Sequence, residues 1–253
     1  LMVNKTDDLR IINTQELISP KDIISQLSPS KSGIDTIIDA RLEIKDILEK
    51  KSKKFVIVVG PCSIHDVDAA KEYAVKLKKL KNSLSENSLL IMRAYFEKPR
   101  TVIGWKGLIN DPDLDGSFKI NKGIKIARQL LMDLSEMNIP CGHEFLDLVS
   151  PQYISDLISW GAIGARTTES QSHRELASGL SLHRISSTLA LGSNLFIELV
   201  IWSFTVYFPK PLESSNSIPV ISAPKFILNG FSFLLVETMF FTDCLTAAAS
   251  CCL

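Results

Sequence analysis

Three cations and a hydroxyl group lie close together in the nine residues from Arg93 to Thr101. Pro99 fixes its own backbone φ and favours an extended Lys98, so a loop and not a helix presents these side chains. A guanidinium group binds phosphate or carboxylate through two hydrogen bonds, and a lysine adds a point charge. The segment therefore predicts a site for a small, multiply charged anion. The alternative is a solvated loop with scattered charge.

Two other residues extend this hypothesis. Arg166 follows a predicted strand and supplies a further guanidinium group, so convergence with Arg93, Lys98 and Arg100 would hold two anionic groups. Cys62 follows Gly60 and Pro61, where it could be a metal ligand, a nucleophile or a packed small residue. Packing is the commoner role of a lone cysteine. The histidines show neither HxxxH nor HxH spacing, so no metal site is evident locally.

The elements that must position these residues alternate along the chain. Apolar runs predict strands at 55–59, 89–92, about 139–145 and 162–166, and helical periodicity predicts helices at 37–48, 70–80, 121–137, 151–158 and 169–180. Strand–helix alternation indicates parallel pairing, and the polar motifs follow strand ends, where such sheets carry their chemistry. We expect an α/β fold of the (β/α)₈ barrel family, with about four βα units recognisable after an N-terminal arm that contains one short helix.

Composition excludes some classes of protein and divides the chain. Lys+Arg 28 balance Asp+Glu 28, which argues against nucleic acid as a partner. The five cysteines form no CxxC pair, so a reducing, cytoplasmic setting is expected. From Leu182 onward only seven of 72 residues are charged, and eight of the 12 phenylalanines lie there. One fold rarely changes composition so abruptly, so the tail is treated separately.

Four motifs, taken together and in order, closely resemble the type I 3-deoxy-D-arabino-heptulosonate 7-phosphate (DAHP) synthases of bacteria and fungi. The motifs are residues 60–66, 95–101, 104–112 and 161–171, and the resemblance covers about residues 7–181. It implies a metal-dependent transferase with a (β/α)₈ barrel. Such an enzyme condenses phosphoenolpyruvate with erythrose 4-phosphate in the first step of the shikimate pathway, towards chorismate and the aromatic amino acids.

The resemblance also implies roles for individual residues. Arg93, Lys98 and Arg166 would hold phosphoenolpyruvate, with Arg93 and Lys98 as catalytic residues, and Pro99, Arg100 and Thr101 would contact erythrose 4-phosphate. Cys62 would ligate a divalent metal ion (Mn, Fe, Co or Zn). An aromatic amino acid (Phe, Tyr or Trp) would act as feedback inhibitor through Asp7, Asp8, Pro151, Gln152 and Ser181. Members of the family are usually homodimers or homotetramers.

The resemblance stops after Ser181. The family continues with a Lys-Asn-Gly-Thr-Asp-Gly strand, which the tail lacks. No later part of the tail matches the family segments that bear a further lysine and arginine for phosphoenolpyruvate and the remaining metal ligands. We therefore divide the chain into an oligomerisation and regulatory arm with its helix (1–50), the first half of a barrel (51–181) and an unrelated apolar tail (182–253). We interpret the tail as a frameshift or similar aberration that impairs activity and leaves an open sheet edge and an uncovered inner face. The alternative is a non-catalytic product, or a membrane-associated protein held through residues 189–208.

Overall fold

A computed structural model describes residues 9, 11, 13–164, 167, 169–182 and 184–186. Its centre is a parallel sheet of five strands in sequence order, β1 (Phe55–Val59), β2 (Ser88–Arg93), β3 (Cys141–Glu144), β4 (Trp160–Ile163) and β5 (Arg184–Ser186). The helices are α1 (Pro20–Gln26), α2 (Lys31–Leu48), α3 (Val67–Leu84), α4 (Ile120–Glu136), α5 (Pro151–Ile154) and α6 (Gln171–Gly179), with a 3₁₀ turn at Ser155–Leu157. The predicted α/β architecture with a parallel sheet is confirmed.

The two faces of the sheet are covered by different helices. Leu90 and Met92 of β2 belong to the cluster that contains the buried residues of α3 and α4. Leu89 and Ile91 point to the opposite face, because side chains alternate along a strand, and they pack with Ile44 of α2. Ile91 is 0 % exposed. The expectation of an uncovered inner face is therefore wrong here, because the last turns of α2 lie against it.

Strand β1 has a single neighbour within the described residues, so the expected open edge is present there. The wholly apolar run 55–59 predicts a strand that is covered on both faces, and this is wrong at its ends. Phe55 is 45 % exposed and Val59 is 36 % exposed. Both residues lie at the edge of the sheet, where the described part of the chain places no further strand beside them.

Two further features of the structure differ from the sequence prediction. The helix predicted to run to residue 158 ends at Ile154 and continues as a 3₁₀ turn. Arg128 donates to the carbonyl oxygen of Tyr153 and Arg41 donates to that of Ser155, so distant side chains occupy acceptors that a longer helix would use. The fifth strand lies within the segment assigned to the tail, pairing Ala162 with Ile185. Three residues are too few for periodicity to reveal a strand.

The N-terminal arm contributes more than the sequence indicated. Ile23 of α1 is fully buried in the main core. Upstream of α1, Asn121 of α4 holds the main chain of Glu16 and Ile18, and the Tyr153 hydroxyl donates to the carbonyl oxygen of Ile18 at 2.7 Å. The arm is therefore fastened to α4 and α5 by side-chain hydrogen bonds. No helix among the described residues is long and apolar enough to span a membrane, and residues 189–208 lie outside them.

Candidate functional site

The loops that follow β1 and β2 are joined by close backbone contacts at the carboxyl edge of the sheet. The amide of Ile64 donates to the carbonyl oxygen of Tyr95 at 2.8 Å. A Cβ atom on Gly60 would lie 2.8 Å from the carbonyl oxygen of Arg93, so a larger residue at this position would push the loops apart. Glycine at the end of β1 therefore lets the Cys62 loop approach the cationic segment.

Two residues that the sequence assigns to the site meet in this arrangement. The Lys98 ammonium group donates a hydrogen bond of 2.8 Å to the sulfur of Cys62, although the two are 36 residues apart in the chain. Cys62 is exposed and Lys98 is half-buried, so both groups are open to a ligand at the sheet edge. The contact joins the loop after β1 to the loop after β2.

Arg93 is the last residue of β2 and lies on the inner face with Leu89 and Ile91. Its guanidinium carbon lies 4.1 Å from the centre of the Tyr95 ring, a cation–π contact that orients the group. Its Nε is buried and has no hydrogen-bond partner within the described part of the chain. A buried cationic donor without an acceptor is suited to an anionic ligand, because a carboxylate or phosphate oxygen would satisfy it. Burial also raises the pKa of Tyr95 to about 12, so its ring faces Arg93 as a neutral phenol.

The cationic segment is supported from one side by residues 104–109. The amide of Lys98 donates to the carbonyl oxygen of Lys106 at 2.9 Å, and the amide of Ile109 donates to the carbonyl oxygen of Phe96 at 3.4 Å. Gly107 has φ +108°, and a Cβ atom there would lie 2.1 Å from the Phe96 carbonyl oxygen. This is a position that requires glycine, both for its backbone angle and for the close approach of the two chains.

The remaining residues of the segment are presented to solvent. Pro99, Arg100 and Thr101 are exposed, and the Arg100 side chain lies against Gly104. Neither Arg100 nor Thr101 has a side-chain hydrogen bond among the described residues. Arg166, Asp7 and Asp8 lie outside the described residues, so their predicted convergence with this site stays a prediction.

The predicted effector residues lie in two parts of the chain: Pro151 and Gln152 begin α5, and Ser181 lies between α6 and β5. Pro151 is buried at the first position of α5, whereas Gln152 and Ser181 are exposed. Arg41 of α2 connects the two parts, because it donates to the carbonyl oxygen of Ser155 at 2.9 Å and approaches that of Ser181 at 3.4 Å. Sequence reasoning missed Arg41, which lies on the polar side of an amphipathic helix and resembles any solvated arginine.

The described residues do not fit a complete metal site. They contain no group of three histidine, cysteine or acidic residues that could hold a metal ion. Cys62 contributes one donor, and its contact is a lysine. His143 is fully buried, donates from Nδ1 to the carbonyl oxygen of Ala94 at 2.7 Å and packs among Tyr95, Phe96 and Phe145. Burial lowers the pKa of His143 to about 4, so it is a neutral core residue.

Comparison with known proteins gives a consistent result over the first part of the chain. The model of the DAHP synthetase I family matches residues 27–183. The chain is 52 % identical to the Phe-sensitive phospho-2-dehydro-3-deoxyheptonate aldolase of Escherichia coli (strain K12) over 70 % of its own length and 51 % of that protein. It is 51 % identical to the Trp-sensitive enzyme of the same strain, over 71 % of this chain and 51 % of the relative.

A solved structure agrees with the sequence comparison. The phospho-2-dehydro-3-deoxyheptonate aldolase of Francisella tularensis SCHU S4 superposes with a TM-score of 0.68 at 53 % identity, over 70 % of this chain and 52 % of that one. The chain thus spans about half the length of the curated relatives that it matches. The matched half contains β1 to β4, and with them the loops that bear Cys62 and the cationic segment.

Proposed function

The chain belongs to the DAHP synthetase I family, and we propose that it carries the anion-binding part of a site that condenses phosphoenolpyruvate with erythrose 4-phosphate. The observation that carries the proposal is the pairing of two strand-end loops at one edge of the sheet. This pairing sets the Lys98 ammonium group beside Cys62, and Arg93 at the end of β2 has a buried Nε without an acceptor among the described residues. The Lys98 and Arg93 side chains are cations that can neutralise a carboxylate and a phosphate.

Each part of the cationic segment has a role in this proposal. Arg93 and Lys98 bind phosphoenolpyruvate, and their charge stabilises the anionic substrate where it approaches the second substrate. Pro99 turns the chain outward, so that Arg100 and Thr101 lie in solvent and can bind the phosphate of erythrose 4-phosphate. Arg166 is proposed as the further guanidinium group for phosphoenolpyruvate.

For the metal ion that the resemblance implies, the described residues provide Cys62 and no further set of donors. The tail also contains none of the later family motifs. We therefore expect this chain to bind phosphoenolpyruvate and to have little or no synthase activity. The chain would then bind phosphoenolpyruvate, as the resemblance implies, without catalysing the condensation.

A regulatory site belongs to the same proposal. The relatives include Phe-sensitive and Trp-sensitive enzymes. In this chain, Pro151, Gln152 and Ser181 lie in a region that Arg41 ties together, and the arm that leads back to Asp7 and Asp8 is fastened to α4 and α5. We propose that an aromatic amino acid binds there and that the protein acts as a homo-oligomer.

Isothermal titration of the full chain with phosphoenolpyruvate tests the binding proposal. The charge-removing variant Lys98→Gln is expected to weaken binding about tenfold or more, because a hydrogen bond to a charged group contributes about 1.5–3 kcal/mol. Lys76→Gln, which removes an exposed lysine from α3, is the matched control and is expected to bind like the parent. Equal affinities for the parent and Lys98→Gln would contradict the proposal.

A second assay separates binding from turnover. Phosphate release from phosphoenolpyruvate and erythrose 4-phosphate, with Mn²⁺ added, is expected to be absent or very slow. Rapid phosphate release by the chain would overturn the expectation of impaired activity, while leaving the assignment of the binding residues in place.

A further inference from the structure

Glu97 lies directly before Lys98 and is 5 % exposed, which is unusual for a carboxylate in a loop. Its Oε2 accepts hydrogen bonds from the amides of Leu146 and Asp147, each at 3.3 Å. Its Oε1 is buried and has no hydrogen-bond partner within the described part of the chain. The side chain thus crosses from the loop after β2 to the loop after β3.

Burial of a charged carboxylate at this position is unfavourable in free energy. Burial raises the pKa of Glu97 and the negative Asp147 adds to the rise, whereas the two amides and the Ser150 hydroxyl, which lies near the carboxylate without a well-formed hydrogen bond, lower it. No lysine or arginine among the described residues forms an ion pair with it. Burial of an apolar side chain at this position would cost less free energy. The Glu97 carboxylate therefore contributes hydrogen bonds to the loop after β3, which an apolar side chain could not form.

The directions of the Glu97 and Lys98 side chains explain what the buried carboxylate contributes. In an extended segment successive side chains point to opposite sides, so the Glu97 carboxylate enters the protein while Lys98 reaches Cys62. The main chain of the same segment is held by residues 106–109 on one side. The Glu97 carboxylate holds it from another side, to the loop 146–150. Lys98 is consequently fixed between two supports.

We propose that Glu97 is a positioning residue for the anion site, and that its carboxylate holds the segment from Lys98 to Thr101 in place by binding the amides of Leu146 and Asp147. This inference rests on the proposed function, because it assigns Glu97 to the same site. The residue touches no substrate and acts through Lys98. Ordering of a cationic loop before the anion arrives lowers the entropic cost of binding, so loss of the support reduces affinity.

Hydrogen–deuterium exchange and phosphoenolpyruvate titration of the full chain test this role together. In Glu97→Ala we expect faster exchange in peptides that cover residues 146–150 and also in those that cover 96–101, where the Lys98 amide donates to Lys106. We expect the affinity for phosphoenolpyruvate to fall about tenfold, the value of one hydrogen bond to a charged group. Glu97→Gln keeps an acceptor oxygen and is expected to restore most of the protection and the affinity. Glu86→Gln, at an exposed position, is the control.

The outcomes separate a positioning role from a merely structural one. A purely structural carboxylate would lower the melting temperature and loosen residues 146–150, with exchange at 96–101 and the affinity unchanged, and this result would overturn the inference. Should Glu97→Ala fail to fold, Glu97→Asp decides, because it keeps the charge and shortens the reach by one methylene. Should the parent chain not bind phosphoenolpyruvate, the proposed function fails, and exchange at 96–101 alone decides whether Glu97 positions the segment.

Discussion

Replacement of Arg128 by methionine is expected to destabilise the protein by about 2–4 kcal/mol. Arg128 is 0 % exposed and donates four hydrogen bonds. Two go to the Asp156 carboxylate at 2.7 Å each, one to the carbonyl oxygen of Tyr153 at 2.7 Å and one to that of Leu27 at 2.8 Å. Methionine fills a similar volume without donors.

The magnitude follows from the two kinds of acceptor. The carbonyl oxygens of Tyr153 and Leu27 lose their donor in a buried setting, at about 1–2 kcal/mol each. The Asp156 side chain is 41 % exposed, so water can solvate its carboxylate and the ion pair adds only about 0–1 kcal/mol. The loss in Arg128→Met is therefore dominated by the neutral acceptors. Asp156→Asn removes the counter-charge of a fully buried guanidinium group, so a comparable loss is expected.

Urea unfolding of the full chain, followed by circular dichroism, measures both variants. A loss of about 2–4 kcal/mol corresponds to a fall in the melting temperature of roughly 5–15 °C for a domain of this size. A loss below about 0.5 kcal/mol for Arg128→Met would contradict this assignment of the energy, because this is the range of an ordinary surface substitution. Unchanged stability of Asp156→Asn would contradict it as well, since the buried guanidinium group would then not need its counter-charge.

Three further predictions follow from single contacts. The pKa of His143 is about 4 in the folded protein against 6.5 for the free side chain, so the unfolded chain binds a proton more readily. The contribution of His143 to the free energy of unfolding is therefore complete above pH 6.5 and is lost as the pH falls towards 4. This contribution amounts to about 3 kcal/mol. The curve of unfolding free energy against pH should be flatter for His143→Gln than for the parent over this range. Parallel curves would count against a neutral buried histidine. Gly107→Ala should abolish phosphoenolpyruvate binding with most of the fold retained, because a Cβ atom there would clash with the Phe96 carbonyl oxygen, and unchanged titration would show that the loop adapts. Tyr153→Phe should cost about 1 kcal/mol and speed proteolysis before α1, since it removes the hydrogen bond to Ile18; unchanged digestion would show that the hydroxyl does not hold the arm.

The strands of the sheet were predictable where the sequence carries a long apolar run. β1 has the predicted bounds, and β2 extends the predicted run by one residue at each end. The predicted position of the fourth strand is two residues late at its start, because Trp160 and Gly161 precede the apolar run and yet pair with β3. Periodicity detects a run of similar residues, and it cannot detect a strand whose first residues are a tryptophan and a glycine.

The cationic half of the site was predictable because parallel strands bring their carboxyl ends to one edge. This rule placed the polar motifs after the first two strands at the same edge, and the structure adds the contact between Lys98 and Cys62. The supports of the site were not predictable in the same way. Glu97, Arg41 and Arg128 act on main-chain groups that are far away in sequence, and no local pattern distinguishes such a residue from a solvated charge.

Protection of Lys98 from chemical modification tests directly whether phosphoenolpyruvate binds at the cationic segment. The full chain is treated with a limiting amount of an amine-selective reagent, with and without phosphoenolpyruvate, and the modified lysines are quantified by mass spectrometry. We expect phosphoenolpyruvate to slow modification of Lys98 and to leave that of Lys76 unchanged. Equal modification of Lys98 with and without phosphoenolpyruvate would contradict binding at this segment.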